Sequence, residues 1–406
     1  MSPRPGCARL LPANPSSHGG ILALVRSGAA SSRADIARRS GLSASTAATR
    51  IEELITHGYL REAGPGKSRG GRRPRKLEVR PDEGVVVGVD LGIHHASFGL
   101  LDMGGTVVAV RHRDLDIATG PESVLRQVLD HARDMASDDA GDHPRLRGIA
   151  LGLPGPVDSL TGLLVSPSRM PGWNGIDAAA LLGEMSGVPI HVDNDANLMT
   201  LGEYVSTGDD PDYVVFLKAG SSIGCGVISA GSLHHGHHGM AGDISHVAVA
   251  GAPPVVCSCG RMGCLDAVAG GAAIIASLRA AGVDVADTGQ LLTLANDAHP
   301  LATRLLREAG TRTGGVLATI VNFFNPQRLV LGGQLSQADA FVAGVRSAIY
   351  TECLPMATDQ LEITLSRTGQ LGGVIGAGRA MLDHLFDPNV VNQTIRPANT
   401  GSVGRS

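Results

Sequence analysis

Three cysteines and a histidine crowd into one short stretch, HVAVAGAPPVVCSCGRMGCLD, as His246, Cys257, Cys259 and Cys264. A segment so rich in glycine and proline, and so poor in large apolar side chains, has little to bury. It needs another means of offsetting the entropy of ordering. Tetrahedral zinc takes four nitrogen and thiolate ligands of this kind. Only six cysteines occur in 406 residues, and the other three, Cys7, Cys225 and Cys353, are scattered. That pattern fits a structural Zn2+ site in a reducing, cytoplasmic setting better than a disulfide framework.

The net charge of −4 conceals a division. Residues 1–80 carry 15 Lys and Arg against 5 Asp and Glu, whereas residues 81–406 carry 19 against 33. A basic head on an acidic body points to a polyanionic partner for the head alone. Within the head, apolar residues from Ile21 to Val25 start a first helix. Ser32 is placed to cap a second that ends at Gly41, and Ser43 to cap a third whose buried face carries Ala47, Ile51, Leu54 and Ile55. Two helices joined by a short turn, behind a supporting helix, make a helix-turn-helix. The third helix then offers Ser45, Thr46, Thr49 and Arg50 to a major groove.

The stretch EAGPGKSRGGRRPRKLEV follows and reads as a hairpin wing. Its Arg69, Arg72 and Arg73, with Lys67, Arg75 and Lys76, suit phosphates or a narrow minor groove. Double-stranded DNA is the expected partner, since 3% aromatic content argues against stacking of single-stranded bases. No apolar run is long enough to cross a bilayer. The expected organisation is a disordered tail over 1–17, a winged helix-turn-helix over 18–80, a two-lobed body over 84–386 and a disordered tail over 387–406.

From Val85 the pattern becomes α/β. GVVVGVDLG, ASFGLLD and TVVAVRH read as successive strands, followed by a helix near Glu122–Met135 and a strand at Gly148–Leu151. YVVFLKAGSSIGCGVISAG repeats the strand, glycine turn and strand arrangement, and RLVLGGQLS ends a later strand on Gly332 and Gly333. Two such units suggest a duplicated architecture with a cleft between its halves. His234, His235, His237 and His238 flank Gly236 and read as a solvated, mobile loop at the cleft mouth. Trp173 reads as loop packing, and 301–324 as a core or subunit-contact helix.

Three motifs, DNDANLMTLGE at 193–203, GMAGDISH at 239–246 and CSCGRMGCLD at 257–266, carry a resemblance. Over residues 20–385 the chain is similar to the ROK family of repressors, open reading frames and sugar kinases, and its winged head places it with the regulators. The resemblance implies a two-lobed actin/hexokinase/Hsp70-like body, a duplicated ribonuclease H-like fold. It also implies a sugar or sugar derivative as ligand, held by Gly155, Ser168, Asn194, Asp195, Asp243, His246 and Asp266, with His246 ligating the metal too. Asp195 falls at the family's general-base position. Asp243 and Asp266 stand where the family has glutamates, one methylene longer. Arg169 replaces a usual asparagine, where a cation either favours an acidic or phosphorylated ligand or pairs with an aspartate.

Family kinases open on Asp-x-Gly-Gly-Thr; here Asp90, Leu91, Gly92, Ile93 and His94 stand instead, and Ile93 is expected to obstruct the phosphate. The second phosphate loop reads Gly220, Ser221, Ser222 rather than Gly-Thr-Gly. No ATP and no catalysis are therefore expected, with Asp195 a relict. The expectation is a cytoplasmic, nucleoid-associated homodimer or homotetramer that binds a pseudo-palindromic operator and represses carbohydrate genes until sugar binds. A bifunctional sugar kinase and a regulator answering to a protein partner are the alternatives.

Overall fold

In the computed structural model, residues 14–65, 75–139, 145–167, 169–208 and 211–395 are described. The head begins with α1 (His18–Arg26), α2 (Arg33–Ser40) and α3 (Ala44–Thr56). The oxygen of Ser32 accepts from Asp35 N–H and that of Ser43 from Thr46 N–H; caps of this kind stabilise by about 1 kcal/mol each. β1 (Leu60–Pro65) and β2 (Arg75–Val79) pair antiparallel as the wing. Arg33 reaches Glu52 on α3 at 2.8 Å and Glu62 on β1 at 3.0 Å, and Arg75 meets Glu62 at 2.8 Å, so one charge network fixes the wing against the helices.

The first lobe contains β3 (Val85–Leu91), β4 (His95–Asp102), β5 (Val107–Asp114), α4 (Pro121–Asp138), β6 (Leu146–Leu153), α5 (Ala178–Ser186) and β7 (Ile190–Asn194), and α6 (Asp195–Thr207) follows. The second lobe has β8 (Val214–Ala219), β9 (Ile223–Ser229), β10 (Ser232–Leu233), α7 (Leu265–Ala269), α8 (Gly271–Ala280), α9 (Thr288–Asn296), α10 (Pro300–Phe324), β11 (Arg328–Gly332), α11 (Asp339–Glu352), α12 (Pro355–Thr358) and β12 (Glu362–Leu365). The chain ends in α13 (Gly372–Leu385) and α14 (Pro388–Ile395).

The strand orders are β5-β4-β3-β6-β7 and β10-β9-β8-β11-β12. In each sheet the central strand pairs antiparallel with its hairpin partner and parallel with the strand on its other side, and the outermost pair beyond that is parallel. Each sheet therefore repeats the other, as the paired sequence units suggested. Near-continuous apolar runs suit such strands, because helices cover their faces. Each lobe has its own core, one around Phe98, Leu129 and Trp173, the other around Leu217, Leu317 and Phe341. Trp173 is fully buried, with Nε1 donating to Ile117 O at 3.0 Å.

Between the lobes, α6 crosses α13 at backbone contact. A Cβ on Gly202 would lie 1.9 Å from Gly372 O, and one on Gly376 1.8 Å from Leu198 O, so only glycine permits this approach. The expected tail over 387–406 needs correction. Its first part is α14, whose Val391 and Ile395 are buried and whose Asn392 accepts from Gly19 N–H of α1 at 2.9 Å. The apolar face of α14 has the α1 face to cover, which is why it folds. Residues 396–406, like 1–13, lie outside the described set. A third apolar cluster runs without a break from Ile21, Leu22 and Ile51 of the head to Val86, Leu101 and Met381 of the body.

Candidate functional site

The cleft is built at strand ends and loop crossings. Asn194 closes β7 and caps α6: its Oδ1 accepts Ala196 N–H at 3.0 Å and its Nδ2 donates to Gly155 O at 3.2 Å. Asp195, the first residue of α6, is 4% exposed. Asp243, exposed, takes Ser245 Oγ–H at 2.5 Å, and His246 lies three residues on. Asp266, on α7, is 5% exposed and accepts Ile223 N–H at 2.9 Å through Oδ1. Gly155, Asn194, Asp195, Asp243, His246 and Asp266 thus line one cleft. Ser168 lies outside the described residues. The cavity encloses about 100 Å3, below the roughly 300 Å3 at which small-molecule sites begin, so a sugar must displace side chains or part the lobes.

Two cations fill the cleft. Arg169 Nη2 bonds Asp266 Oδ2 at 2.9 Å, the aspartate pairing that is one of the two readings of Arg169. Lys218, at the end of β8, is bonded through Nζ to Asp195 Oδ2. Burial pulls the Lys218 ammonium down, but Asp195, Asp90 and Asp266 outweigh it and leave the pKa raised. Asp90, at the end of β3, is pushed up to about 6 by burial, with Lys218 opposing and Asp195 adding. Lys218 keeps a fifth of its side-chain exposure, and an ammonium so far withdrawn from water is stabilised by such partners. Lys218 escaped the sequence reading, although a lone lysine ending a buried apolar strand was the available signal.

The loop after β3 also differs from expectation. Ile93 packs against the first lobe's core instead of entering the phosphate space. The ring of His95 stands over Gly92, with Cε1 2.3 Å from where a Cβ would be. Its pKa is lowered, first by burial and then by Lys218 and neighbouring histidines, which favours the neutral ring. At the second loop the N–H groups of Gly271 and Ala272, where α8 begins, donate to Gly220 O (2.9 Å) and Ser221 O (3.1 Å).

His246, Cys257, Cys259 and Cys264 converge, their ligand atoms all within 4.8 Å of one another. His246 Nδ1 lies 3.5 Å from Cys257 Sγ, and Cys259 Sγ 3.7 Å from Cys264 Sγ. Tetrahedral edges for zinc are about 3.5 Å between nitrogen and sulfur and about 3.8 Å between sulfurs, from its bond lengths. The donor set fits that ion. The Arg261 N–H, ahead of the neighbouring thiols, brings the Cys259 thiol down to about 7. Among the described residues this is the one such cluster.

The histidine loop is not simply solvated. His235 Nε2 meets Asp193 of β7 at 2.7 Å and His238 Nδ1 meets Asp158 at 3.1 Å, which ties the second lobe to the first. The hydrogen bond to Asp193 raises the His235 pKa against burial. In the head, Ser45, Thr46 and Thr49 are exposed and Arg50 is half-buried. Ser43 Oγ spans to Ser45 Oγ at 2.9 Å and Thr46 Oγ1 at 2.8 Å. The wing tip with Arg69, Arg72 and Arg73 lies outside the described residues.

A three-helix head with a two-stranded wing, joined to two repeated sheets around a cleft, defines a DNA-binding module on an actin-like body. Residues 17–61 match the model of winged helix-turn-helix DNA-binding domains, and residues 86–383 match that of the ROK family. The chain belongs to the ROK family. It is 28% identical over 360 residues to the xylose repressor of Bacillus subtilis, covering 88% of this chain and 92% of that one. It is 26% identical over 316 residues to the glucokinase of Thermotoga maritima, covering 74% of this chain and 98% of the enzyme. The crystal structure of a ROK family transcriptional regulator, a homologue of the Escherichia coli Mlc protein, superposes with a TM-score of 0.77 at 23% identity, over 93% of this chain and 98% of that one.

Proposed function

We propose that the protein is a sugar-responsive, DNA-binding transcriptional repressor whose effector, a sugar or sugar derivative, occupies the cleft without phosphoryl transfer. One observation carries the reading. Six of the seven expected sugar contacts converge, while Asp195 is held by Lys218 and the exposed ring of His95 lies over Gly92. The Lys218 ammonium occupies the Asp195 oxygen Oδ2, which a substrate hydroxyl would otherwise meet, and phosphoryl transfer depends on a cradle open to phosphate. Asn194, Asp243 and His246 orient the sugar hydroxyls, Asp195 joins through the oxygen that Lys218 does not hold, and Asp266 joins once Arg169 yields. Zinc would be held by His246 and the three cysteines; when bound it fixes the His246 ring through one nitrogen and leaves the other for a hydroxyl.

Linkage supplies the regulation. A sugar that binds one lobe arrangement better shifts the population of head positions, and operator DNA changes sugar affinity reciprocally. The DNA contacts are assigned to Ser45, Thr46, Thr49 and Arg50 in the major groove and to Arg69, Arg72 and Arg73 along the backbone. A homodimer, alone or within a homotetramer, would meet a pseudo-palindromic operator in the cytoplasm, where the chromosome lies. The domain limits are 18–80 for the head and 84–386 for the body, with α14 added as a strap. Footprinting of zinc-replete protein on its own promoter, with and without a panel of hexoses, pentoses, amino sugars and their phosphates, tests the proposal. One sugar should release the footprint, and silence across the panel refutes the sugar reading.

A further inference from the structure

We infer that the joint between head and body holds a second ligand site, distinct from the cleft, for a small organic anion with an apolar or ring-shaped body. A cavity of about 310 Å3 opens there, three times the volume of the closed cleft and within the range of small-molecule sites. Head, connecting segment and body all contribute to its wall: Tyr59 just after α3, Arg80 and Glu83 of the connecting segment, Arg145 and Arg147 around the start of β6, and Phe386 with Val390 from the C-terminal end.

Its charge runs against the body that carries it. Residues 81–406 are strongly acidic, yet the lining has three arginines and a single carboxylate, Glu83. Two of the arginines are set in place by their neighbours: Arg80 Nη1 meets Glu83 Oε2 at 3.2 Å and its Nε meets Asp82 Oδ1, outside the lining, at 3.3 Å, while Arg147 Nη1 donates to Glu83 O at 3.4 Å. Arg145 has no acidic partner among the described residues, and its carbonyl accepts Val85 N–H at 3.0 Å, which anchors the strand that presents it. Guanidinium groups with spare donors suit carboxylate or phosphate oxygens. In the same lining, Tyr59 and Phe386 pack edge to face with centroids 6.2 Å apart and offer apolar surface to the rest of the ligand. A ligand here touches head and body together, so it ties the position of one to the other.

Phenyl phosphate is the probe, titrated calorimetrically into full-length, zinc-replete protein, with inorganic phosphate and phenol as separate arms. One site is expected, with inorganic phosphate and phenol each weaker by about tenfold or more. The double variant Arg145→Gln, Arg147→Gln should lose affinity by at least about tenfold, while Asp195→Asn in the cleft leaves it unchanged. Amide exchange in α14 and at the end of α3 should slow on binding. If the double variant fails to fold, Arg145→Gln alone, a change at an exposed side chain, carries the same comparison. No binding at millimolar phenyl phosphate overturns the inference. So does affinity that survives the arginine changes in folded protein, or affinity lost in Asp195→Asn. None of these outcomes bears on the sugar reading of the cleft.

Discussion

The two sides of the cleft have been treated differently. On the side of Asn194, Asp243 and His246, polar groups face the cavity with hydrogen-bonding capacity left over: Asn194 keeps one amide hydrogen beyond its bond to Gly155, and Asp243 is exposed. On the side of Asp90, Gly92 and Asp195, the chain's own groups take up the capacity. Lys218 sits on Asp195, His95 covers Gly92, and the first N–H groups of α8 go to the loop carbonyls of 220 and 221. The difference teaches how the proposed loss of phosphoryl transfer could arise without deletion: a lysine on Asp195 and a histidine ring over Gly92 occupy one side of the cleft, while the other keeps its hydrogen-bonding capacity.

The largest expected effect breaks this comparison at Lys218. Lys218→Ala leaves Asp195 and Asp90 buried without their counter-ion and should cost about 3–5 kcal/mol of stability, measured by urea denaturation. Adding Asp195→Asn should recover most of the loss. If Lys218→Ala is neutral, the ammonium is not what holds the closed side. Second is the metal. Cys259→Ser should lower zinc affinity by more than the 10–100-fold typical of losing an outer-shell partner, read from metal content after dialysis, and sugar affinity should fall with it. Sugar affinity kept in zinc-free protein would separate the two sides of His246.

Arg169 sharpens the comparison further, because it closes part of the recognition side. Arg169→Ala frees Asp266 Oδ2, and a neutral sugar should then bind about tenfold tighter by calorimetry; weaker binding would make Arg169 a ligand contact. The smallest effect concerns the latch between the lobes. The pKa of His235 is raised above its ordinary 6.5 by Asp193. Its contribution is therefore complete below 6.5 and is lost as pH rises through the raised value. For a half-exposed pair this is about 0.5–1 kcal/mol. His235→Ala should cost that much in mildly acidic buffer and nothing in alkaline buffer, by denaturation at each pH.

Legibility followed the range of the interactions. The convergence of His246, Cys257, Cys259 and Cys264, the Ser32 and Ser43 caps and the repeated strand units are set by local spacing, so residue order was enough to find them. The bonds that fill the cleft join residues far apart: Asp195 with Lys218, and Arg169 with Asp266. Sequence spacing does not say which carboxylate a distant cation meets. Ile93 drew attention by its bulk, yet a branched apolar side chain prefers the core and leaves the loop to His95. The helix α14 was hidden for a related reason: eight residues have weak helical preference alone, and only the face of α1 gives them somewhere to bury Val391 and Ile395.

The most direct measurement is transfer of phosphate from ATP to the sugar that releases the operator, followed by mass spectrometry alongside calorimetry of the same sample. Sugar binding that does not depend on ATP, with no sugar phosphate formed, is the expected result. Sugar phosphate that accumulates with turnover and disappears in Asp195→Asn would contradict it, because the side held by Lys218 and His95 would then be reactive.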